Sequence, residues 1–129
     1  MFGGGKEKEV LDSWAKKYPG CVNASGMLKG LSQELILMKN LDVMVSMDSA
    51  NMHLASLVNL PVVSVWGATH PASGIMGWHQ AMRDTVHLDL DCRPCSVDGK
   101  KKCRFGDYHC MRDISPELII NKVKKVLER

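Results

Sequence analysis

The chain has 129 residues, of which 45% are hydrophobic and 24% are charged, and its formal net charge is +3. These values predict one globular domain with a real core, and so small a charge gives little support for a nucleic-acid partner. No run approaches the ~18 apolar residues of a membrane span, and the first residues lack the basic and apolar regions of a signal peptide, so we expect a cytoplasmic protein.

Helical and extended segments alternate along the first part of the chain. Apolar residues recur at spacings of three and four over Lys6–Tyr18, which predicts a helix. Cys21–Ala24 suggests a short strand, and Ser32 is placed to cap a second helix that closes at Asn40. The apolar segment Asp42–Ser46 follows at once and is typical of a strand.

The alternation continues to the end of the chain. A short helix carrying His53, the strand Val62–Trp66 and a last strand over Thr85–Leu90 are predicted in that order. The run Ser115–Glu117 supplies the N-cap, N1 proline and first-turn acid of a final helix. This pattern predicts an α/β fold with a Rossmann-like parallel sheet flanked by helices.

Polar residues follow two of the predicted strands. In an open parallel sheet the ligand lies outside the carboxyl ends of the strands, where helix N-termini offer N–H groups to anions. The residues that would share this rim are Asp48, Ser49, His53, Gly67 and Thr69. Singly, Asp48, Ser49 and Thr69 are more typical of caps or turns, and His53 of a packing residue. Their convergence on one rim favours a diphosphate site.

Two common nucleotide-binding motifs are absent from the sequence. A dinucleotide fingerprint beginning at Gly3 would need glycine at position 8, where Lys8 stands. The pattern Gly-x-x-x-x-Gly-Lys-Ser/Thr does not occur either. A Rossmann dehydrogenase and a P-loop nucleotidase are therefore disfavoured.

The aperiodic segment 91–112 contains four cysteines, which are Cys92, Cys95, Cys103 and Cys110. Four thiols this close could bind a structural Zn²⁺, and His109 could replace one of them. The two later cysteines lack the C-x2-C spacing of a zinc ribbon, so free thiols are an equal alternative, and disulfides are a poorer one in a reducing compartment. Cys21 stands apart and is expected in the core.

The motifs around this rim resemble those of a known family. Asp48–Ala55, Leu60–Val63 and Trp66–Pro71 are similar to Asp-Ser-Gly-x-x-His-Leu-Ala, Pro-Val-Val and Phe-Gly-x-Thr-x-Pro of the ADP-heptose:lipopolysaccharide heptosyltransferases, which are GT-B glycosyltransferases. Further matches are Phe2-Gly3-Gly4 with Glu7, the Cys-x-Pro-Cys of Cys92–Cys95, and Cys103 through Cys110-Met111 to Ile114–Glu117. The resemblance covers nearly the whole chain.

The resemblance implies the C-terminal, donor-binding domain of such an enzyme. By this resemblance, Asp48 contacts the sugar hydroxyls or the part of the donor near the phosphates. Ser49 and Ala50 donate their N–H groups to the diphosphate, and His53 lies beside the same groups. The other implied donor-site residues are Glu7 at the ribose, with Glu9 as its alternative, Gly67, and Thr69 at the mouth. Ala50 replaces the usual glycine and Trp66 the usual phenylalanine.

The resemblance also implies which parts of the enzyme to expect. We expect residues 1–129 to be one nucleotide-sugar-binding domain, truncated at its N-terminus, without the acceptor domain that supplies the general base. No catalytic residue is predicted, and this chain alone should not catalyse transfer. The expected partners are an ADP-heptose-like nucleotide diphosphate sugar and a lipid-linked glycan acceptor at the cytoplasmic face of the inner membrane. No cofactor is required, apart from the structural Zn²⁺ considered above.

Two other functions remain open at this point. The first is another GT-B nucleotide-sugar enzyme, such as an epimerase, against which the Cys-x-Pro-Cys segment speaks. The second is a non-enzymatic module whose interactions depend on metal–thiolate binding, with the α/β part as a scaffold.

Overall fold

The computed structural model describes residues 1–129, which divide into two compact units, residues 1–37 and 38–129. Five α-helices and three β-strands follow in the order α1 (Glu7–Lys17), α2 (Leu31–Lys39), β1 (Met44–Met47), α3 (Ala50–Leu57), β2 (Val62–Val65), β3 (Thr85–Val86), α4 (His109–Arg112) and α5 (Pro116–Leu127). None of the helices is long and apolar enough to cross a bilayer. The single nucleotide-sugar-binding domain over residues 1–129 stays a prediction.

The first unit contains the predicted helix α1, whose buried residue is Leu11. Glu7 and Glu9 lie in its first turn and Lys16 and Lys17 in its last, as the helix dipole favours. The strand expected over Cys21–Ala24 was wrong. Apart from local turn bonds to Tyr18 and Met27, its backbone partner is the terminal residue Met1, whose ammonium donates to the Val22 carbonyl at 2.6 Å and whose carbonyl accepts from the Ala24 N–H at 2.9 Å. One residue is too short to form a ladder.

The second unit is built on a parallel sheet, which confirms the predicted fold class. The strand order is β1-β2-β3, and both neighbouring pairs are parallel. Met47 is level with Val65, and Val65 is level with Val86, so the carboxyl ends of all three strands meet at one edge. We call this the carboxyl edge of the sheet.

The central strand organises the core of this unit. All four residues of β2 are buried, as expected of a strand covered on both faces. One cluster of buried residues comprises Val63, Val65, Val86, Ile114 and Val126, and thus joins α5 to β2 and β3. On β1 only alternate residues are buried, and Val45 and Met47 are 51% and 53% exposed. Strand β2 is therefore the best-packed part of the sheet.

The last strand is shorter than predicted, ending at Val86 rather than Leu90. Periodicity suggested a longer strand, but the chain turns away, because the Leu88 carbonyl accepts a hydrogen bond from the Arg93 side chain and the Leu90 carbonyl accepts from the Arg93 N–H. The final helix begins after Ser115 as predicted, although the Ser115 side chain makes no capping hydrogen bond.

Candidate functional site

The carboxyl edge brings together the segments that were predicted to share a rim. Asp48 and Ser49 follow β1 directly, and Trp66, Gly67 and Thr69 follow β2. Because neighbouring parallel strands end level with each other, these two segments lie side by side. The predicted convergence on one edge is confirmed, although the binding role of these residues stays a prediction.

The corner between β1 and α3 leaves a carboxylate without a partner in the protein. Asp48 is half-buried and makes no hydrogen bond or ion pair, so the cap that an aspartate here often provides is not formed. Ser49 is the N-cap residue of α3, yet its hydroxyl lies 3.0 Å from the Ser46 hydroxyl and does not cap the helix. The start of α3 therefore has N–H groups without a side-chain cap.

Two further predicted residues lie on the first turns of α3. Ala50 is its first residue, and His53 follows about one turn later; both are exposed. The alternative that His53 is a packing residue therefore finds no support, since the imidazole faces solvent and has no hydrogen-bond partner in the chain. Both residues are accessible to a ligand at the β1–α3 corner.

The segment after β2 is covered by the protein itself. A Cβ atom placed on Gly67 would lie 2.4 Å from the Met111 Cγ atom, so glycine there makes room for Met111. Thr69 is only 7% exposed, and a Cβ atom on Gly99 would lie 3.2 Å from its methyl group. Both residues thus lie beneath the segment 91–112, which accounts for their burial.

Arg93 fastens the segment 91–112 to the carboxyl edge. Its Nε donates to the Gly67 carbonyl, its Nη1 donates to the Leu88 carbonyl, and its Nη2 donates to the carbonyls of Trp66 (3.2 Å) and Thr69 (2.9 Å). Burial lowers the pKa of Arg93. Sequence reasoning missed this residue, because its partners are backbone carbonyls, which carry no side-chain signal.

A histidine pair lies next to this fastening. The rings of His70 and His87 are 5.2 Å apart in an edge-on arrangement, and the His70 Nδ1 accepts a hydrogen bond from the Ala72 N–H. Burial lowers the pKa of His87, and the positive charge of Arg93 lowers it further. The neutral form of His87 is therefore favoured on the covered side of the edge.

Glu7 belongs to the first unit and has a partner there. Its carboxylate accepts a hydrogen bond from the Gly4 N–H at 3.2 Å, and its own N–H donates to the Gly4 carbonyl at 3.1 Å. These contacts stabilise the turn that leads into α1. Binding of a ribose by Glu7 stays a prediction.

The four cysteines of the segment 91–112 surround one small pocket, which is also lined by His109. All five cysteines of the chain are free thiols, and Cys21 is exposed rather than in the core, since no apolar element covers it. Burial raises the pKa of Cys110, whereas N–H groups of the Phe105–Tyr108 turn lower the pKa of Cys103. No group of three or more such side chains is arranged, as it stands, to hold a metal ion.

Two clefts of the second unit lie away from Asp48. One of about 230 Å³ is at the opposite edge of the sheet and includes Asn59, Asp84 and Arg129. Another of about 250 Å³ is on the surface of the segment 91–112 and is lined by basic residues, among them Lys101, Lys102 and Arg104. Neither cleft includes a residue of the β1–α3 corner, so the chemistry of its groups marks that corner as a candidate.

Comparison with known proteins agrees with the resemblance in the motifs. Residues 1–109 match the family model of glycosyltransferase family 9 (heptosyltransferase). The chain is 32% identical over 85 residues to lipooligosaccharide heptosyltransferase 2 of Campylobacter jejuni (strain 81116), covering 66% of this chain and 26% of that protein. It is 26% identical over 135 residues to lipooligosaccharide heptosyltransferase 2 of Haemophilus influenzae (strain Rd), covering 100% of this chain and 37% of that protein.

The fold also matches a solved structure. The E. coli ADP-heptose lps heptosyltransferase II superposes with a TM-score of 0.73 at 23% sequence identity, over 98% of this chain and 35% of that one. This likeness supports the GT-B assignment of the fold. The chain spans 26% to 37% of the length of the curated relatives named above. From the family match over most of its residues, the chain belongs to glycosyltransferase family 9.

Proposed function

We propose that this chain is the donor-binding part of a heptosyltransferase, which transfers a sugar from a nucleotide diphosphate sugar to a lipopolysaccharide-core or related glycan. The observation that carries the proposal is the β1–α3 corner, where Asp48 has no partner in the protein and α3 begins without a side-chain cap. Such a corner offers a diphosphate N–H groups and a sugar a hydrogen-bond acceptor.

The corner has two kinds of binding group, and we assign each of them to a different part of the donor. The N–H groups at the start of α3, contributed by Ser49 and Ala50 and their neighbours, favour negative charge through the helix dipole. The Asp48 carboxylate would repel a phosphate at short range, so it suits the sugar hydroxyls, which donate hydrogen bonds to it. His53, exposed one turn further, is proposed to contact one of these groups.

The remaining predicted residues have less direct roles in this proposal. Gly67 and Thr69 are covered by the segment 91–112, so they shape the wall of the site rather than touch the donor. Glu7 is proposed for the ribose. The general base that deprotonates the acceptor is proposed to come from outside these residues, and the enzyme is proposed to act at the cytoplasmic face of the inner membrane without a required cofactor.

Membership of glycosyltransferase family 9 favours this function over the two alternatives. A purely thiol-based module would leave the unpartnered Asp48 unexplained.

Nuclear magnetic resonance can test the proposal on the chain itself. Adding a nucleotide diphosphate sugar such as ADP-heptose should shift the amide signals of Asp48, Ser49 and Ala50. Signals of Asn59 and Gln80, at the opposite edge of the sheet, serve as the internal control. Shifts confined to that opposite edge would contradict the proposed site, and sugar transfer by the chain alone would contradict a base supplied from elsewhere.

A further inference from the structure

The pocket among the cysteines contains more metal-binding groups than a packing role requires. Its lining includes Cys92, Cys95, Cys103, His109 and Cys110, and we call it the thiol pocket. Thiolates and imidazoles are the ligands that Zn²⁺ prefers, and a structural site needs four of them. The lining of the pocket includes no residue of the β1–α3 corner, so an inference about it is independent of the proposed donor function.

The orientation of His109 points to a ligand role. Its Nδ1 lies 2.7 Å from the Asp107 carboxylate, which can only accept a hydrogen bond, so Nδ1 is the donor and a neutral ring has its lone pair on Nε2. A carboxylate that holds the far nitrogen in this way is the usual companion of a zinc-bound histidine. Asp107 also accepts a hydrogen bond from the His109 N–H at 3.3 Å, which fixes the ring further.

The free nitrogen of His109 faces a thiol at a distance that suits a shared metal. Its Nε2 lies 3.6 Å from the Cys92 Sγ. With bonds of about 2.3 Å to sulfur and about 2.0–2.1 Å to nitrogen, a tetrahedral zinc separates its sulfur and nitrogen ligands by roughly 3.6 Å. The Cys92–His109 pair therefore already has the spacing of one edge of a zinc tetrahedron.

Cys95 and Cys103 are the best candidates for the other two positions. Cys95 is three residues from Cys92, which is the usual spacing of a thiol pair on zinc, and Cys103 lies on the rim of the same pocket. Cys110 is the exception, because it is only 5% exposed and its Sγ lies 3.9 Å from the Cβ position of Gly67. That burial under the sheet edge suits a packing thiol.

We propose that Cys92, Cys95, Cys103 and His109 bind one structural Zn²⁺, with Asp107 holding the histidine and Cys110 outside the site. The side chains of Cys95 and Cys103 must turn towards the Cys92–His109 pair, because no three ligands converge as the structure stands. Binding would tie residues 96–102, most of which are exposed, to the core of the second unit.

Zinc titration of the reduced chain tests this proposal. We expect about one Zn²⁺ per chain, measured by elemental analysis and by competition with a chromophoric chelator, and Co²⁺ should give the absorption of a tetrahedral thiolate site. Cys92→Ser and His109→Gln should lose most of this affinity, whereas Cys110→Ser should keep it. Asp107→Asn should weaken binding by about 10- to 100-fold without removing a ligand.

Three results with these variants would contradict the proposed zinc site or part of it. Less than about a tenth of a zinc per folded chain after reconstitution, in a chain of unchanged circular dichroism, would overturn the site. Loss of metal in Cys110→Ser with retention in His109→Gln would overturn the ligand set in favour of four thiols. Because Asp107→Asn leaves every ligand and the packed core in place, an affinity equal to that of the unaltered chain would overturn the role of Asp107.

Discussion

Two polar groups at the carboxyl edge of the sheet have opposite surroundings. The Arg93 guanidinium donates to four backbone carbonyls, those of Trp66, Gly67, Thr69 and Leu88. The Asp48 carboxylate, beside the neighbouring strand, has no partner in the chain. A polar group whose bonds are all made inside the protein stabilises the fold, whereas one left without partners is available to a ligand. One edge thus contains a closed half and an open half.

The largest effect is expected from breaking the closed half. Arg93→Ala would leave several half-buried carbonyls without donors, and charged hydrogen bonds contribute roughly 1.5–3 kcal/mol each without adding fully. We expect a loss of about 3 kcal/mol or more in the free energy of unfolding, measured with urea. Arg104→Ala is the matched control, since Arg104 is exposed and lies over the Phe105 ring. Equal losses in both variants would contradict the fastening role of Arg93.

A medium effect is expected from crowding the same half. Gly67→Ala would place a methyl 2.4 Å from the Met111 Cγ atom, and overpacking of this kind usually costs about 1–3 kcal/mol. The same change should cost clearly less when Met111→Ala has already made room, which a double-mutant cycle in urea would measure. Gly4→Ala is the control, because nothing lies within 4 Å of its Cβ position. An unchanged cost in the Met111→Ala background would show that another contact is responsible.

A smaller effect on stability is expected from Asp84, a carboxylate that has a partner in the protein, unlike Asp48. The two Arg129 nitrogens donate to the buried Asp84 at 2.8 and 2.5 Å, and this hydrogen bonding lowers the pKa of Asp84. A lowered folded-state pKa stabilises the fold above the usual aspartate pKa of about 3.9, and this contribution is lost as the pH falls through the folded-state value. Stability should therefore fall below about pH 4.

Arg129→Gln removes the group that lowers this pKa. Its free energy of unfolding should depend less on pH between about 5 and 3 than that of the unaltered chain, as measured by urea titrations at each pH. At neutral pH, Asp84→Asn should lower stability, whereas Asp48→Asn should not. If the unfolding free energy fell equally with pH in the unaltered chain and in Arg129→Gln, the role of Arg129 in lowering the pKa of Asp84 would be contradicted.

The sequence predicted those parts of this edge that depend on local pattern. Helix α5 and strand β2 followed from hydrophobic spacing, and Asp48 and Gly67 could be placed on one edge because all strands of a parallel sheet point the same way. Whether each residue is open or covered depended on contacts between distant segments. Gly67 is covered by Met111, 44 positions away in sequence, and no residue pattern near Gly67 announces it.

The same reason explains the other differences. The end of β3 is set by the hydrogen bond from Arg93 to the Leu88 carbonyl, and a carbonyl is common to every residue. The spacing of the cysteines predicted four thiols with His109 as an alternative ligand, whereas only the distances from His109 to Cys92 and Asp107 favour the histidine. Contacts between residues distant in sequence are thus what the sequence did not predict.

The most direct test of the open half is Asp48→Asn, studied by urea unfolding and by calorimetric titration with a nucleotide diphosphate sugar and with the nucleotide alone. The unfolding free energy should change by less than about 0.5 kcal/mol, because the carboxylate has no partner to lose. Affinity for the nucleotide sugar should fall by roughly 1.5–3 kcal/mol, and affinity for the nucleotide much less, since it lacks the sugar hydroxyls. A large loss of stability with unchanged affinity for the nucleotide sugar would contradict the account.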